Sequence, residues 1–583
     1  MEALMWISHA ERPLGADELC HALAVELGSR DFSAENAPSI STLVNCCQGL
    51  ITVDKEASSV RLIHFTLKEY LSAGPDIFTR PHSTMAEICL TYLNSKQVKA
   101  LSAALPPNVP NTPFLEYSSL YWGVHAKGEF SDYSRSLALE LFHDYDGHIS
   151  AKSLLSQVWH LGNSMPGTSF WFSGLHCASF FGIMEVVAAQ LDMGSYDINE
   201  GDFFGHTPLS WAARNGHGEV VNMLLLQAEV NPDKPGTGGD TPLLRAAERG
   251  HEEVVKRLLR REDVNINKPD QWGYIPLSGA AWRGHEGIVK VLLERDDIHP
   301  DKPDNDGDTP LSHAARGGHE GVVKILLKRD DVNPDKPNNA GRTALWIAAG
   351  HGYEDVVRVL LAQEGVNPNK PDNHGTTPLT LAAGYGHEGV VRILLARDEV
   401  NPELGDYYGH TPLQNAARGG HGEVVKMLLA RDGVDPDKPN SHGSTALSLA
   451  AEHGREGVVK MLLTREEVDL ENVDNDGDTP LLCAVYGGCE GVVRILLERK
   501  EINLHKRNHA GQTPLSIAAQ EGHAAVIRTL LLQEDVNPNL PDNDGQTPLM
   551  HATRNGHQAV IELLQSHEAV TYGTLPGLWN YTP

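Results

Sequence analysis

The chain has 583 residues, a formal net charge of −29, 40% hydrophobic residues and 21% charged ones. Those proportions suit a folded protein rather than a disordered one, and the length exceeds what one ordinary core holds, so several domains or a repeat array are expected. The acidic excess argues against a surface for duplex nucleic acid or anionic membrane, and no apolar run reaches the ~18–20 residues that span a bilayer.

Met1–Arg12 holds two glutamates and no lysine ahead of its first arginine, so it does not read as a signal peptide. Seven cysteines, at 20, 46, 47, 89, 177, 483 and 489, form neither a CxxC pair nor a dense framework. This usage points to a reducing compartment, the cytoplasm with the nucleus as the alternative, and makes the Asn580-Tyr581-Thr582 sequon irrelevant. Ser39–Leu50 predicts a helix with Cys46 and Cys47 on its buried face. "ITVDKEASSVRLIHF" predicts two strands around a polar turn, and "TLKEYLSA" a further helix.

Helix, hairpin, helix is the order of a winged helix. "VRLIHFTLKEYL" (Val60–Leu71), followed by "PFLEYSSLYWGVHAK", resembles the closing winged-helix region of NACHT-type STAND ATPases, the signalling NTPases related to NOD-like receptors, and looks most like the fungal branch. That resemblance implies that the histidine matching His64 approaches a nucleotide phosphate in intact members. Such an ATPase needs a Gly-rich loop carrying Lys and Ser/Thr, and this chain has no Gly-Lys dipeptide. The ATPase core would then lie before Met1, and His64 reads as structural or vestigial. Pro-rich "PPNVPNTP" (Pro106–Pro113) marks a loop before a helical connector.

From residue 172 the chain repeats itself. A Thr position recurs in steps of 34 from Thr207 to Thr547, with Ile275 as a departure, and Ser173 extends the phase backwards to make 12 units. Trp171 and Phe172 are expected to pack where the helical connector meets the first of these units. In each unit the Thr suits an N-cap and the following Pro the first helical turn. Leu209, Ala212 and Ala213 give a short first helix its apolar side, and Gly216 stops it. Val220, Val221, Leu224 and Leu225 make the buried stripe of a second helix. "NPDKP" (Asn231–Pro235) then leads into a turn at the next glycine. "DNDGDTPLSHAARGGHEGVVKILLKRDDVNPDKP" (Asp304–Pro337) resembles the ankyrin repeat, a hairpin tip followed by two antiparallel helices, with one residue more than the usual 33 placed in the connector. The resemblance implies a mostly α fold: an ankyrin-repeat α-solenoid of about 12 repeats of 34 residues, preceded by a winged-helix-like and helical N-terminal region. The last unit is more polar, with Thr553, Gln558, Glu562 and Gln565, as a capping repeat is. Expected domains are residues 1–78 (winged-helix-like remnant), 79–171 (helical connector), 172–567 (ankyrin array) and 568–583 (tail).

Several motifs imitate chemistry. His217, His251, His285, His319, His387, His421, His523 and His557 share one slot of the repeat, so they lie one helix stack apart, ~8–10 Å. Zinc needs nitrogens at about 2.0–2.1 Å, so they are expected to satisfy connector backbone groups instead. "DNDGD" at Asp304 and Asp474 lacks the glycine and glutamate spacing of a calcium loop and reads as a turn. With no HExxH and no GxSxG, no catalytic residue, cofactor or metal ligand is expected, and no enzyme.

What varies between units is the outward slots. In ankyrin proteins the hairpin tips and exposed first-helix ends usually grip partners. The resemblance assigns protein binding to Phe203, Phe204, Arg214, Arg249, Trp272, Tyr274, Trp282, Arg283, Arg316, Tyr385, Tyr407, Tyr408, Arg418 and Tyr486, since aromatic and Arg residues dominate hot spots. Phe203, Phe204, Trp272, Tyr274, Trp282 and Arg283 fall within three successive units and are candidates for one patch. The expected function is a non-catalytic protein-recognition scaffold, the sensor half of a NOD-like-receptor-type protein. Its partner would be another protein, with no nucleic acid and no membrane, and the chain is expected to be a monomer. The alternatives are a nucleotide-dependent signalling switch lacking its P-loop core and, with less support, an adaptor for ubiquitin ligation.

Overall fold

Four helices and one hairpin open the chain: α1 (Glu2–His9), α2 (Ala16–Leu23), α3 (Ile40–Cys46), β1 (Ile51–Asp54), β2 (Ser59–Leu62) and α4 (Phe65–Ala73). The computed structural model describes residues 1–29, 32, 34–54, 58–73, 77–101, 112–127, 130–143, 145, 148–158, 171–194, 196–533 and 535–572. The strands pair antiparallel, from Ile51 opposite Leu62 to Asp54 opposite Ser59. Ser39 caps α3 by accepting the Thr42 N–H. The winged-helix order is therefore present, with α1 and α2 ahead of it. One expectation fails here: Cys46 is exposed and Cys47 half-buried. Leu43 supplies the buried side chain of α3, and the two cysteines fall at its frayed end.

A helical layer comes next, with α5 (Pro81–Asn94), the short α6 (Lys96–Lys99), α7 (Leu115–Ala126), α8 (Asp132–Phe142) and α9 (Ile149–Val158). Most of the Pro-rich segment expected as a loop, residues 106–111, lies outside the described residues. The core here is aromatic. Trp6, Tyr92, Phe114, Tyr117, Trp122, Phe142 and Tyr145 are all fully buried. Trp6 meets Phe114 edge-on at 5.4 Å, and Trp122 meets Phe181 at 5.1 Å. The second contact requires the glycine at 123, because a Cβ there would stand 2.1 Å from the Phe181 ring. Phe172 is buried, with Tyr145 of the helical layer at 6.3 Å and Trp211 of the second repeat at 5.9 Å, as expected for the junction. Trp171 is not: it is 51% exposed.

Twelve helix pairs run from Gly174–Phe181 with Met184–Met193 to Pro548–Asn555 with Gln558–Tyr572. By packing, the chain falls into two compact units, Met1–His299 and Pro300–Pro583, so this array contributes to both. The local chemistry is the same in each. Thr241 accepts the Leu244 N–H and Pro242 opens the helix; Thr411 accepts the Gln414 N–H and Pro412 does the same. Ile275 can offer no such bond. Leu243, Ala246 and Ala247 of one first helix, and Val254, Val255 and Leu258 of the second, are buried to 1% exposure or less. Gly250 ends the first helix at φ +81°, and a Cβ there would also meet the His285 ring at 2.7 Å, so both conformation and space exclude a side chain. In the last unit Thr553, Gln558, Glu562 and Gln565 are exposed, which suits the capping role. The sequon at Asn580 lies outside the described residues.

Candidate functional site

From Asp202 onward, with Gly236 as the departure, each hairpin tip is built on an Asp or Asn five residues before the helix cap. Asp270 Oδ1 accepts the N–H groups of Trp272 and Tyr274 at 2.9 and 2.8 Å. Asp304 does the same for Asp306 and Asp308, both at 2.9 Å, while its Oδ2 takes His313 Nε2 at 3.0 Å. The DNDGD carboxylate is therefore taken up by turn geometry. One backbone bond then joins tip to tip. Thr237 N–H donates to Phe204 O at 2.7 Å and Gln271 N–H to Gly238 O at 2.9 Å; further along, Asn373 N–H donates to Ala340 O and Tyr407 N–H to His374 O. The tips are held rigid by their backbone, which leaves their side chains free to vary.

The repeat histidines hold the other end of the first helices. His217, His251, His285, His387, His421, His523 and His557 each place Nε2 2.8–3.2 Å from a carbonyl in the last turn of the preceding unit's first helix. The expectation of connector groups is corrected here: the acceptors are the orphan carbonyls that any helix C-terminus leaves. Arg455 and Cys489 substitute in the same role, reaching Arg418 O at 2.9 Å and Glu452 O at 3.4 Å. Connector groups are instead served by lysines: Lys268 Nζ reaches Asp233 O and Lys370 Nζ reaches Asp335 O, both at 2.7 Å.

Of the residues assigned to binding, Phe203, Arg249, Trp272, Trp282, Arg283, Tyr385, Tyr407, Tyr408, Arg418 and Tyr486 are exposed, Tyr407 by 74%. Phe204, Arg214, Tyr274 and Arg316 are half-buried. Phe203 and Phe204 meet edge-on at 5.1 Å. Tyr274 lies 6.2 Å from Trp282, whose ring carries Arg283 at 5.2 Å. Tyr408 stacks on His442 of the next tip at 6.5 Å. Arg316 is tied to Asp308, and Arg418 donates to Asn415 Oδ1 at 2.8 Å.

Arg214 and Arg249 come together in a cavity of about 570 Å³ that also has Tyr121 of α7, Lys127 just after it, and Phe180, His217 and His251 of the repeats on its walls. Burial, then the neighbouring Arg249, pulls the Arg214 guanidinium down to about 10. Burial, then Lys127, lowers His217 to about 4, so its ring is neutral at pH 7. The sequence marks Arg214 and Arg249 as ends of successive first helices, but Lys127 lies far away in sequence and only folding brings it in.

Sequence reasoning also missed a buried ionic chain beneath the first tips. Trp211 Nε1 donates to Asp202 at 2.9 Å, His206 Nε2 lies 3.0 Å from Asp240, and Arg245 Nε 2.7 Å from that same carboxylate oxygen. Burial opposes charge on His206, but the bonds to Asp202 and Asp240 outweigh it and raise its pKa. Burial works against Asp240 as well, and His206 and Arg245 overcome it, holding the carboxyl well below the usual range. The only trace in the sequence is that the residue before each helix cap changes from unit to unit.

A second cavity, about 300 Å³, lies in the winged-helix part among Arg12, Arg61, His64, Phe65 and Lys68. His64 Nδ1 is 2.7 Å from Thr66 Oγ1 and accepts the Thr66 N–H at 3.3 Å, a local capping arrangement. Ile63, Phe65 and Tyr70 beside it are exposed by 53%, 72% and 67%. Among the described residues no helix is long and apolar enough to cross a membrane.

Comparison with known proteins bears on both parts. The family model for ankyrin repeats (3 copies) matches residues 175–270, 225–304, 277–372, 364–440, 432–508 and 499–572, together more than half of the chain. The model described as the winged helix domain of GPI inositol-deacylase matches residues 1–79. Among solved structures, the crystal structure of the ankyrin repeat domain of Bcl-3, a member of the IkappaB protein family, is 29% identical, covers 39% of this chain and 100% of its own, and has a TM-score of 0.34. No curated protein sequence matches. With helix pairs in register over twelve units, and a family model matching across them, the chain belongs to the ankyrin-repeat family.

Proposed function

We propose that this chain is a non-catalytic recognition scaffold that grips a protein partner through the tips and first-helix ends of its ankyrin repeats. One observation carries the reading. Framework positions such as Leu277, Ala280 and Ala281 are 0% exposed, whereas Trp272 and Trp282 in the same unit are 56% and 43% exposed. Large aromatics in water, on a backbone already fixed by its own hydrogen bonds, are what a hot spot needs. Arg283 over Trp282 and the Lys127–Arg214–Arg249 cavity add cations to the same unit of the fold. The resemblance of the N-terminal part to NACHT-type proteins supports a sensor role within a NOD-like-receptor-type system of the fungal kind. The combined Phe204→Ala, Trp272→Ala and Trp282→Ala variant tests this. It should lose capture of the partner bound by the unaltered chain while keeping its helix content, and undiminished capture removes the patch from consideration.

A second reading, part of a nucleotide-dependent switch, is favoured by the winged-helix cavity with Arg12, Arg61 and Lys68 beside exposed Phe65 and Tyr70. Translating the genomic sequence upstream of Met1 decides it: an in-frame P-loop supports the switch, and a stop codon with none ends it.

A further inference from the structure

His82, in the first turn of α5, and His125, in the last turn of α7, bring their Nδ1 atoms to 2.9 Å with the rings stacked at 5.1 Å. Neither belongs to the repeats, and neither serves a helix end as the repeat histidines do. Glu11, in the segment after α1, completes a group whose ligand atoms all lie within 4.8 Å of one another. Its carboxylate has no hydrogen-bond or ion-pair partner among the described residues, because the adjacent Arg12 is paired with Glu18 at 2.6 Å. A fourth residue orients the group. Tyr117 Oη accepts the Glu11 N–H at 3.2 Å and lies 2.9 Å from His125 Nε2. With Nε2–H donated to that hydroxyl, His125 turns a lone pair on Nδ1 towards His82.

Two nitrogens on a tetrahedral zinc at 2.0–2.1 Å stand about 3.3 Å apart. The observed pair is within a few tenths of an ångström of that, and a small rotation of Glu11 supplies the carboxylate oxygen. A ligating histidine whose other N–H is held by a neighbouring group is the usual outer-shell arrangement. Two imidazoles and one carboxylate suit a borderline ion rather than calcium or magnesium, which favour all-oxygen sites. We propose that Glu11, His82 and His125 bind one dication of the zinc class, with Tyr117 as a positioning residue. The ion would cross-link the segment between α1 and α2 to α5 and α7, fastening the winged-helix part to the helical layer. No local spacing announces such a site, since the three ligands are scattered over 115 residues of sequence.

The experiment is titration of Zn²⁺, and of Co²⁺ as a visible probe, into the full chain after chelator treatment and desalting. The competing explanation is a neutral His–His hydrogen bond that binds nothing. The chain holds 29 histidines, so weak surface binding is expected and must be separated. The proposal expects one tight equivalent with a four-coordinate Co²⁺ spectrum. Glu11→Gln and His82→Gln should each weaken it at least about tenfold, Tyr117→Phe by about 10–100-fold, and His217→Gln should leave it unchanged. Because His82→Gln also breaks the His–His contact, thermal midpoints are measured in chelator and in Zn²⁺. A zinc-dependent rise in the unaltered chain that vanishes in both variants supports the site. Equal binding by the unaltered chain, Glu11→Gln and His82→Gln, or no tight equivalent at all, overturns it and leaves an adventitious ion only.

Discussion

Up to Val158 the protein relies on large buried rings that each occur once, whereas from Gly174 onward, Phe181 and Trp211 apart, its interior is chiefly Leu, Val and Ala at positions used again every 34 residues. Trp6 touches Phe114, Tyr117 and His125, three residues more than a hundred positions away. Leu258 and Val255 recur as apolar residues from the second unit onward, Gln190 holding the Leu258 position in the first, and their helix packs on its own unit's first helix and on the second helices of adjacent units. The first kind of core has no substitute part, so its stability is all-or-none; the second is a sum of similar interfaces. The same contrast holds for polar groups. The histidines that follow the repeat glycine, such as His217, His251 and His285, do one job in series, while those of the N-terminal part make individual contacts with Tyr117, Leu93 or each other.

The strongest blow to that contrast should come from Trp6→Ala. Trp6 is fully buried, and its loss should cost about 3–5 kcal/mol. Hydrogen exchange should show faster opening throughout residues 1–158 with the repeats beyond Pro300 unaffected. Opening of the distant repeats to the same degree would mean that the two regions fold as one.

Acid should separate them next. Burial lowers His148 to about 4, against about 6.5 when unfolded. Stability it supports is present above pH 6.5 and drains away as pH falls towards 4, by a total on the order of 3 kcal/mol. His206 has the opposite sign, because its pKa is raised. Its contribution is complete below pH 6.5 and is lost as pH rises through the folded value. Amide exchange near Leu93 and near Asp240, followed across pH 5–8, should therefore move in opposite directions. His206→Gln should abolish the alkaline trend alone.

A single cap is a smaller lever. Thr411→Val removes the bond from Thr411 to the Gln414 N–H and should lower stability by about 1 kcal/mol. The effect should appear mainly in the unit that carries it. Least of all, Tyr385→Ala and Tyr407→Ala should shift thermal stability by no more than about 0.5 kcal/mol, since both side chains are more than half exposed. Those changes act on partner binding if the recognition reading holds.

The order of residues was enough to specify the repeat: its phase, its helix pairs, the caps at Thr, the left-handed glycines and the polar last unit. These are local properties, settled within a few residues by backbone preferences and by apolar spacing that recurs in register, and a periodic signal states them twelve times. It also marked outward aromatic and Arg positions such as Trp272, Trp282 and Tyr407, because they vary where the framework does not, but Phe204, Arg214, Tyr274 and Arg316 from the same set are half-buried. It misplaced Cys46 and Cys47, since a helix read from spacing does not say which of its ends is covered. Only the folded chain reveals that Trp171 faces water while Phe172 does not, that Lys127 joins Arg214 and Arg249, and that Glu11, His82 and His125 meet. Each of those depends on contacts between segments far apart in the chain, used once, and a pattern that occurs once carries no period from which to read it.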